Sequence, residues 1–345
     1  MSICQLFDLQ YPIVQAPMAG VQGSALAVAV SQAGGLGSLP CAMLSLSTMQ
    51  AEIQAIQAQT DRPFNVNFFC HTPPTPDEDA ERAWLQLLAP YYAELGLNPA
   101  NATAAATRLP FNQDMADLIT RYRPAVVSFH FGLPAADLLE QVRASGAKIL
   151  SSATTVEEAR WLEAQGVDAV IAQGLEAGGH RGMFLTQDLL SQVGTFALLD
   201  QIVKAVNVPV IAAGGIADAA GVRAALALGA AGVQVGTAYL LCPEATTSAV
   251  HRQALKSESA RITALTNIYS GRPARGIVNR LMKDIGPISA LAPEFPLATA
   301  ASAPLRAKAE SQGKGDFSPM WAGQNVSGCE EISAGLLTSK LGGHG

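Results

Sequence analysis

Charge is scarce in this chain. Only 14% of its 345 residues are Asp, Glu, Lys or Arg, and 22 basic against 28 acidic side chains leave a formal net charge of −6. Nucleic-acid binding needs a basic surface that displaces counterions, so no nucleic-acid partner is expected. The imbalance is mild, however, and leaves room for a local cationic site that takes a small anion. Cysteine is sparse as well: residues 4, 41, 70, 242 and 329 show neither CxxC nor Cys/His metal spacing. No metal is expected, and reduced thiols in a cytoplasm fit best. The N-terminus lacks a basic start followed by an apolar run, so no secretory leader is read there. One stretch, Ala224–Cys242, is uncharged and about long enough to span a bilayer. Gly229, Gly232 and Gly236 interrupt it, and Val233-Gln234-Val235 alternates. It reads as a helix end, a turn and a buried strand, and no membrane partner is expected.

Apolar residues, by contrast, make up 49% of the chain. That is ample for a deep core, in one large barrel or two ordinary domains. Short apolar or β-branched runs alternate with small-residue turns and longer helical stretches, the pattern of parallel strands joined by helices. Eight strands are expected: Ile13–Ala16, Leu36–Leu39, Phe64–Phe69, Ala125–His130, Lys148–Ser152, Ala169–Ala172, Val208–Ala212 and Gly232–Val235. Helices are expected between them, several ending at Gly34, Gly146, Gly166 or Gly229 where a left-handed cap is wanted. Eight units suit an α/β fold of the (β/α)8 TIM-barrel type. No GxGxxG follows the first strand, which weakens a Rossmann alternative. The barrel is assigned to 1–242 and a C-terminal helical extension to 243–345, packing on the barrel and partly over its mouth. A helical insertion at about 70–124 follows the third strand and reads as a lid or interface element, or as a plain surface excursion.

In such a barrel, functional groups sit at the C-terminal ends of strands, and phosphates bind near the seventh and eighth. The seventh strand here runs into Ala213-Gly214-Gly215-Ile216 and the eighth into Gly236-Thr237. Glycines there let backbone approach a phosphate, and the Thr237 hydroxyl can donate to it. Alternation in Phe64-Asn65-Val66-Asn67-Phe68 turns both amides inward. They either pair within the core or meet a polar heterocycle such as an isoalloxazine ring, Asn67 lying nearer the mouth. The sixth strand leads into Gln173-Gly174-Leu175-Glu176-Ala177-Gly178-Gly179-His180-Arg181-Gly182. This backbone-rich loop carries a titratable base, His180, and a cation, Arg181, which either neutralises an anion or pairs with Glu176. The fourth strand brings His130, between Phe129 and Phe131, to the same rim.

Taken in order, Gln15-Ala16-Pro17-Met18-Ala19-Gly20, Asn67, His130-Phe131-Gly132, Gln173 with Glu176–Gly182, Ala213–Ile216 and Gln234–Thr237 resemble the nitronate monooxygenases, formerly 2-nitropropane dioxygenases, and most closely their class I members. The resemblance runs from about Ile13 to Asn279, including Gly271-Arg272-Pro273-Ala274-Arg275-Gly276, and on into Phe317–Gln324. The phosphate loops are common to many FMN barrels; Glu176–Gly182 is the discriminating piece. The resemblance implies FMN held by Ala16, Pro17, Met18, Asn67, Gln173, Gly178, Gly179, Gly214, Gly215, Gln234, Val235, Gly236 and Thr237. It implies His180 as the catalytic residue with His130 beside it, and aromatics at the substrate entrance, for which Trp321, Tyr269, Tyr91 and Tyr92 are candidates. The implied reaction takes a small anionic nitronate, such as propionate 3-nitronate or an alkyl nitronate, and O2 to a carbonyl compound and nitrite. The implied role is detoxification, by a monomer or homodimer. The alternatives are an NAD(P)H-dependent quinone or enoyl reductase on the same barrel, a non-enzymatic flavin carrier, and a metal-dependent lyase.

Overall fold

Alternation places one face of each strand against helices and the other against the barrel axis, and the strands pair accordingly. The computed structural model describes residues 2–102 and 108–343. Its strands are β1 (Ile13–Gln15), β2 (Gly37–Pro40), β3 (Phe64–Phe69), β4 (Val126–His130), β5 (Lys148–Ala153), β6 (Ala169–Gln173), β7 (Gly179–His180), β8 (Val210–Ala213), β9 (Gly232–Val235), β10 (Thr263–Thr266) and β11 (Ala274–Ile277). Eight run parallel in the order β1-β9-β8-β6-β5-β4-β3-β2. A parallel bridge between Val14 and Leu36 brings the two edges together, giving the expected (β/α)8 barrel. All eight expected strands form, within one or two residues at each end. The four expected glycine caps all take positive φ, between +76° and +95°.

Two apolar layers result. Ile13, Val66, Phe68, Val127, Phe129 and Val170 face outward into the helices. Val14, Leu36, Val126, Leu150, Ile171 and Ile211 fill the barrel's lower interior, plugged from below by Ile3 and Phe7 of an unexpected short helix, Ile3–Phe7. Polar residues begin inside at Asn65, level with Val126, and continue upward with Asn67.

The segments after β3 and after β9 meet each other. Helix Glu78–Glu94 buries Trp84, Leu88, Tyr91 and Tyr92 against Ile268, Leu281, Leu305 and Phe317 in a second core. Trp84 Nε1 donates to the Ala298 carbonyl (3.3 Å), Tyr92 Oη to that of Ala301 (2.7 Å), and Arg280 grips Glu94 with two bonds of 2.7 Å. The expected insertion is therefore shorter than 70–124, because Gln113–Tyr122 is an ordinary outer helix packed beside Ala136–Ala144. Residues 103–107 of that insertion and His344 of the tail lie outside the described residues. The extension is divided too: helix Ala334–Leu341 returns to the barrel wall and buries Leu337 and Leu341 in the main core.

Candidate active site

A cavity of about 1380 Å³, its open mouth included, sits at the C-terminal ends of the barrel strands. Of the residues expected to hold a cofactor, Ala16, Pro17, Met18, Asn67, Gln173, Gly178, Gly179, Gly214, Gly215, Gln234, Gly236 and Thr237 line it, as do His130 and His180. Val235 does not. Alternation sends its side chain into the strand–helix layer, while its carbonyl accepts from Ala16 N at 2.8 Å.

At one end the walls are nearly bare backbone. Gly214 has φ +118°, and a Cβ there would lie 2.8 Å from Thr195 Oγ1 and 2.9 Å from Ala177 N. A Cβ on Gly236 would reach to 3.3 Å from that of Ala16. Thr237 opens a short 3-10 turn, and its hydroxyl accepts from Gly323 N at 2.9 Å, leaving its own hydrogen to donate. The Gln234 Oε1 is buried with no partner, and buried acceptors are rarely left so. Asn67 is anchored by its amide nitrogen on Ser128 Oγ (2.9 Å) at the cavity wall; Asn65, one layer deeper, donates to Ser38 Oγ. Bare glycine turns for a phosphate, with amides for a ring, fit a flavin nucleotide.

At the other end lies His180. Its two-residue strand β7 pairs antiparallel with β11, which continues to β10 in a small sheet built by the extension. Two braces from the barrel hold the His180 carbonyl. Gln173 Nε2 donates to it at 2.9 Å and His130 Nε2 at 3.1 Å, while Gln173 Oε1 accepts from Gly182 N at 2.8 Å. Because a carbonyl only accepts, His130 carries its proton on Nε2, and Nδ1 faces Ser152 Oγ at 3.1 Å. Both of its ring nitrogens are therefore engaged by the protein. Gly182 permits the approach, since a Cβ there would stand 2.9 Å from the His130 ring.

The His180 imidazole bonds Ser270 Oγ through Nε2 at 2.8 Å; among the described residues Nδ1 has no hydrogen-bond partner. Ser270 also donates to the Arg272 carbonyl (3.4 Å). Aromatic rings surround it: Phe295 at 5.3 Å, Trp321 at 5.5 Å, Phe131 at 6.1 Å and Phe69 at 6.2 Å between centroids. Phe131 adopts φ +69°, a left-handed conformation costly for an aromatic residue and concentrated at functional sites. Burial, then the neighbouring Arg108, His130, Arg272 and His71, hold the His180 imidazole well below the ordinary histidine range. Burial also takes His130 down to about 4. Both rings are neutral at pH 7.

Three expectations need correction. Arg181 neither enters the cavity nor pairs with Glu176: it is 1% exposed and donates to Gln192 Oε1 and to the carbonyls of Gly174 and Gln173. It shapes the loop. Tyr91 and Tyr92 belong to the second core, and Tyr269 sits behind Trp321 with its hydroxyl on Asn279 Oδ1. Of the four candidate aromatics only Trp321 lines the cavity. Phe69, Phe295 and Ser270 were given no part in the site from the sequence, and Phe131 was read only as the neighbour of His130 in its motif.

A closed eight-stranded barrel with a cofactor-sized cavity at its C-terminal mouth defines a TIM-barrel enzyme, and comparison with known proteins narrows the class to oxidoreductases that depend on flavin. The family model "Nitronate monooxygenase" matches residues 2–342. The nitronate monooxygenase of Pseudomonas aeruginosa is 45% identical over 340 residues, covering 98% of this chain and 97% of that one. Among solved structures, nitroalkane oxidase from Streptomyces ansochromogenes superposes with a TM-score of 0.90 at 37% identity, covering 99% and 97%. FabK from Thermotoga maritima superposes at 0.74 and 27% identity, covering 99% and 94%. The chain belongs to the nitronate monooxygenase family.

Proposed function

We propose that this chain binds FMN and uses O2 to oxidise small nitronates to a carbonyl compound and nitrite, as a detoxifying activity. One observation carries the reading: the His180 imidazole, with Phe69 and Trp321 beside it and Nδ1 without a hydrogen-bond partner among the described residues, lines the same cavity as a glycine cradle suited to a phosphate. The cradle of Gly214, Gly215, Gly236 and Thr237 would take the FMN phosphate, and Asn67, Gln173 and Gln234 would face its ring system. FMN, when bound, supplies the electron chemistry.

The remaining work falls to the chain. Ser270 Oγ can accept from His180 Nε2 while its own hydrogen goes to the Arg272 carbonyl, a tautomer that leaves a lone pair on Nδ1. That lone pair is placed to take an α-proton from a nitroalkane. When a nitronate enters already deprotonated, its negative charge favours the imidazolium, and the same nitrogen then donates to the substrate. The phenylalanines and Trp321 keep water from the reacting carbon.

The test is oxygen uptake by the flavin-loaded protein with alkyl nitronates and propionate 3-nitronate, alongside NADH. Nitronate-dependent uptake with stoichiometric nitrite supports the proposal. Rapid anaerobic bleaching by NADH without nitronate turnover supports a reductase instead.

A further inference from the structure

A third histidine of the cavity has no part in the account above. His251 lines it along with Leu240, Pro319 and Trp321. The wall there is otherwise apolar or aromatic, with Met18 and Val21 packed against the cluster that holds Leu240. His251 is 5% exposed, and its Nε2 is buried with no hydrogen-bond partner among the described residues. Buried polar atoms are rarely left so, and His130 in the same cavity has both ring nitrogens engaged. The groups that act on His180 are Arg108, His130, Arg272 and His71; those that act on His251 are Arg306, Glu310 and the Trp321 backbone. The two imidazoles thus serve different parts of one cavity.

The place of His251 is fixed from the phosphate end. The short turn that Thr237 opens runs to Leu241. Arg252, next to His251 in helix Ala249–Leu255, ties that helix to the turn and the residues after it. Its Nη1 donates to the Leu241 carbonyl at 2.8 Å, its Nη2 to those of Cys242 (2.7 Å) and Ala245 (3.0 Å), and its Nε to that of Thr247 (3.2 Å). Ser248 Oγ accepts from His251 N at the helix start. From the other side, the stretch beginning at Trp321 crosses to the cradle, Gly323 N on Thr237 Oγ1 and Asn325 Nδ2 on the Gly215 carbonyl. Both segments beside His251 therefore lead to the glycine cradle. Burial takes the imidazole down to about 4, and it is neutral at pH 7. Arg306 and Glu310 pair with each other at 2.8 Å and bring it no net charge.

We infer that His251 is a ligand of the flavin nucleotide, hydrogen-bonding its uncharged part, the ribityl chain or the ring edge, from the side of the C-terminal extension. The inference rests on the flavin reading. The phosphate is served by the glycine turns and Thr237, and a neutral ring adds no charge for an anion. A neutral imidazole does offer one donor and one acceptor nitrogen, which match hydroxyls and ring amides that donate and accept in turn. Held by backbone on both sides, the ring loses little freedom on binding.

Flavin affinity with and without the phosphate is the test. Protein freed of flavin is titrated with FMN and with riboflavin, and binding is read from the change in flavin fluorescence. His251→Phe keeps a flat ring, removes both nitrogens and leaves a polar atom of the flavin buried without its partner. The dissociation constants of both flavins are expected to rise at least about fivefold, by factors that agree within about twofold. His251→Gln or His251→Asn, whose amides reach the positions of Nε2 and Nδ1, should recover part of the loss. Because Nε2 gives up no bond within the chain, the flavin-free Phe variant should melt within about 2 °C of the wild type, while the rise in Tm on adding FMN shrinks. Affinities of the Phe variant within twofold of the wild type's for both flavins overturn the inference. So does a loss confined to FMN, which puts the imidazole on the phosphate. A flavin-free Phe variant that melts well below the wild type, with neither amide restoring affinity, also overturns it by making His251 a prop of the fold. Wild-type protein that takes up neither flavin refutes the cofactor reading itself.

Discussion

Gln173→Leu is the sharpest probe of how the loop carrying His180 is held. Leucine keeps most of the volume of glutamine and removes both polar ends. Two hydrogen bonds disappear, Nε2 to the His180 carbonyl and Gly182 N to Oε1, each worth about 1 kcal/mol net. The Gly182 N–H is then buried without an acceptor, at a further cost of about 1–3 kcal/mol. The total, about 3–5 kcal/mol, falls on a two-residue strand and the loop beyond it, since the His180 carbonyl keeps only His130. At about 1.4 kcal/mol per tenfold, kcat/KM for a nitronate is expected to drop at least about 100-fold. Global stability should suffer less, with Tm lowered by under about 10 °C. Stopped-flow or oxygen-electrode kinetics on flavin-replete protein gives the first number and scanning calorimetry the second. A fully loaded Leu variant with kcat/KM within threefold of the wild type would show that the brace is irrelevant to catalysis.

Four further outcomes are expected. His180→Asn should retain flavin, read from the absorbance spectrum, and lose turnover by about 10²–10⁴-fold; full activity in a loaded variant removes the assignment. Gly236→Val should lower flavin occupancy, because even its Cβ meets Ala16 at 3.3 Å; unchanged flavin content after dialysis argues against a phosphate there. Trp84→Ala should cost about 3–5 kcal/mol by cavity formation and expose residues 268–317 to limited proteolysis; a protease pattern like the wild type's would separate the insertion from the extension. Acid should destabilise the fold through its histidines. His71, His130 and His251 are held down to about 4 by burial, so below an unfolded value of about 6.5 the unfolded chain takes up protons that the native state refuses. Stability is complete above about pH 6.5 and falls as pH drops toward 4, which denaturant midpoints at pH 7.5, 6 and 5 would register; a flat profile contradicts it.

What the sequence disclosed was whatever is local. The eight barrel strands follow from apolar or β-branched runs of four to six residues set between turns and helices, and the glycine caps from a backbone requirement at a single position. Asn67 was found because period two fixes the face of a strand. Most of the misassignments concern partners far along the chain. Gly179-His180 looks like plain loop until Ala274-Arg275 arrives to pair with it. Arg181, adjacent to the reactive imidazole, was expected to meet substrate, but its three acceptors come from the turn it closes and from Gln192. Tyr91, Tyr92 and Tyr269 were offered as entrance residues on type alone, whereas Phe69, Phe131 and Phe295 come from three separate segments and no spacing links them.

The small sheet of β7, β11 and β10 has a consequence for how the enzyme is made. Gly276 bridges to Trp321, and the residues just beyond cross to Thr237 and Gly215 through Gly323 and Asn325. A ribosome releasing this protein has extruded every barrel strand long before it delivers the piece that fastens the reactive ring and latches the phosphate end. Competence to load a cofactor thus waits on residues well beyond the last barrel strand, and a product cut short near residue 315 would lack both fastenings.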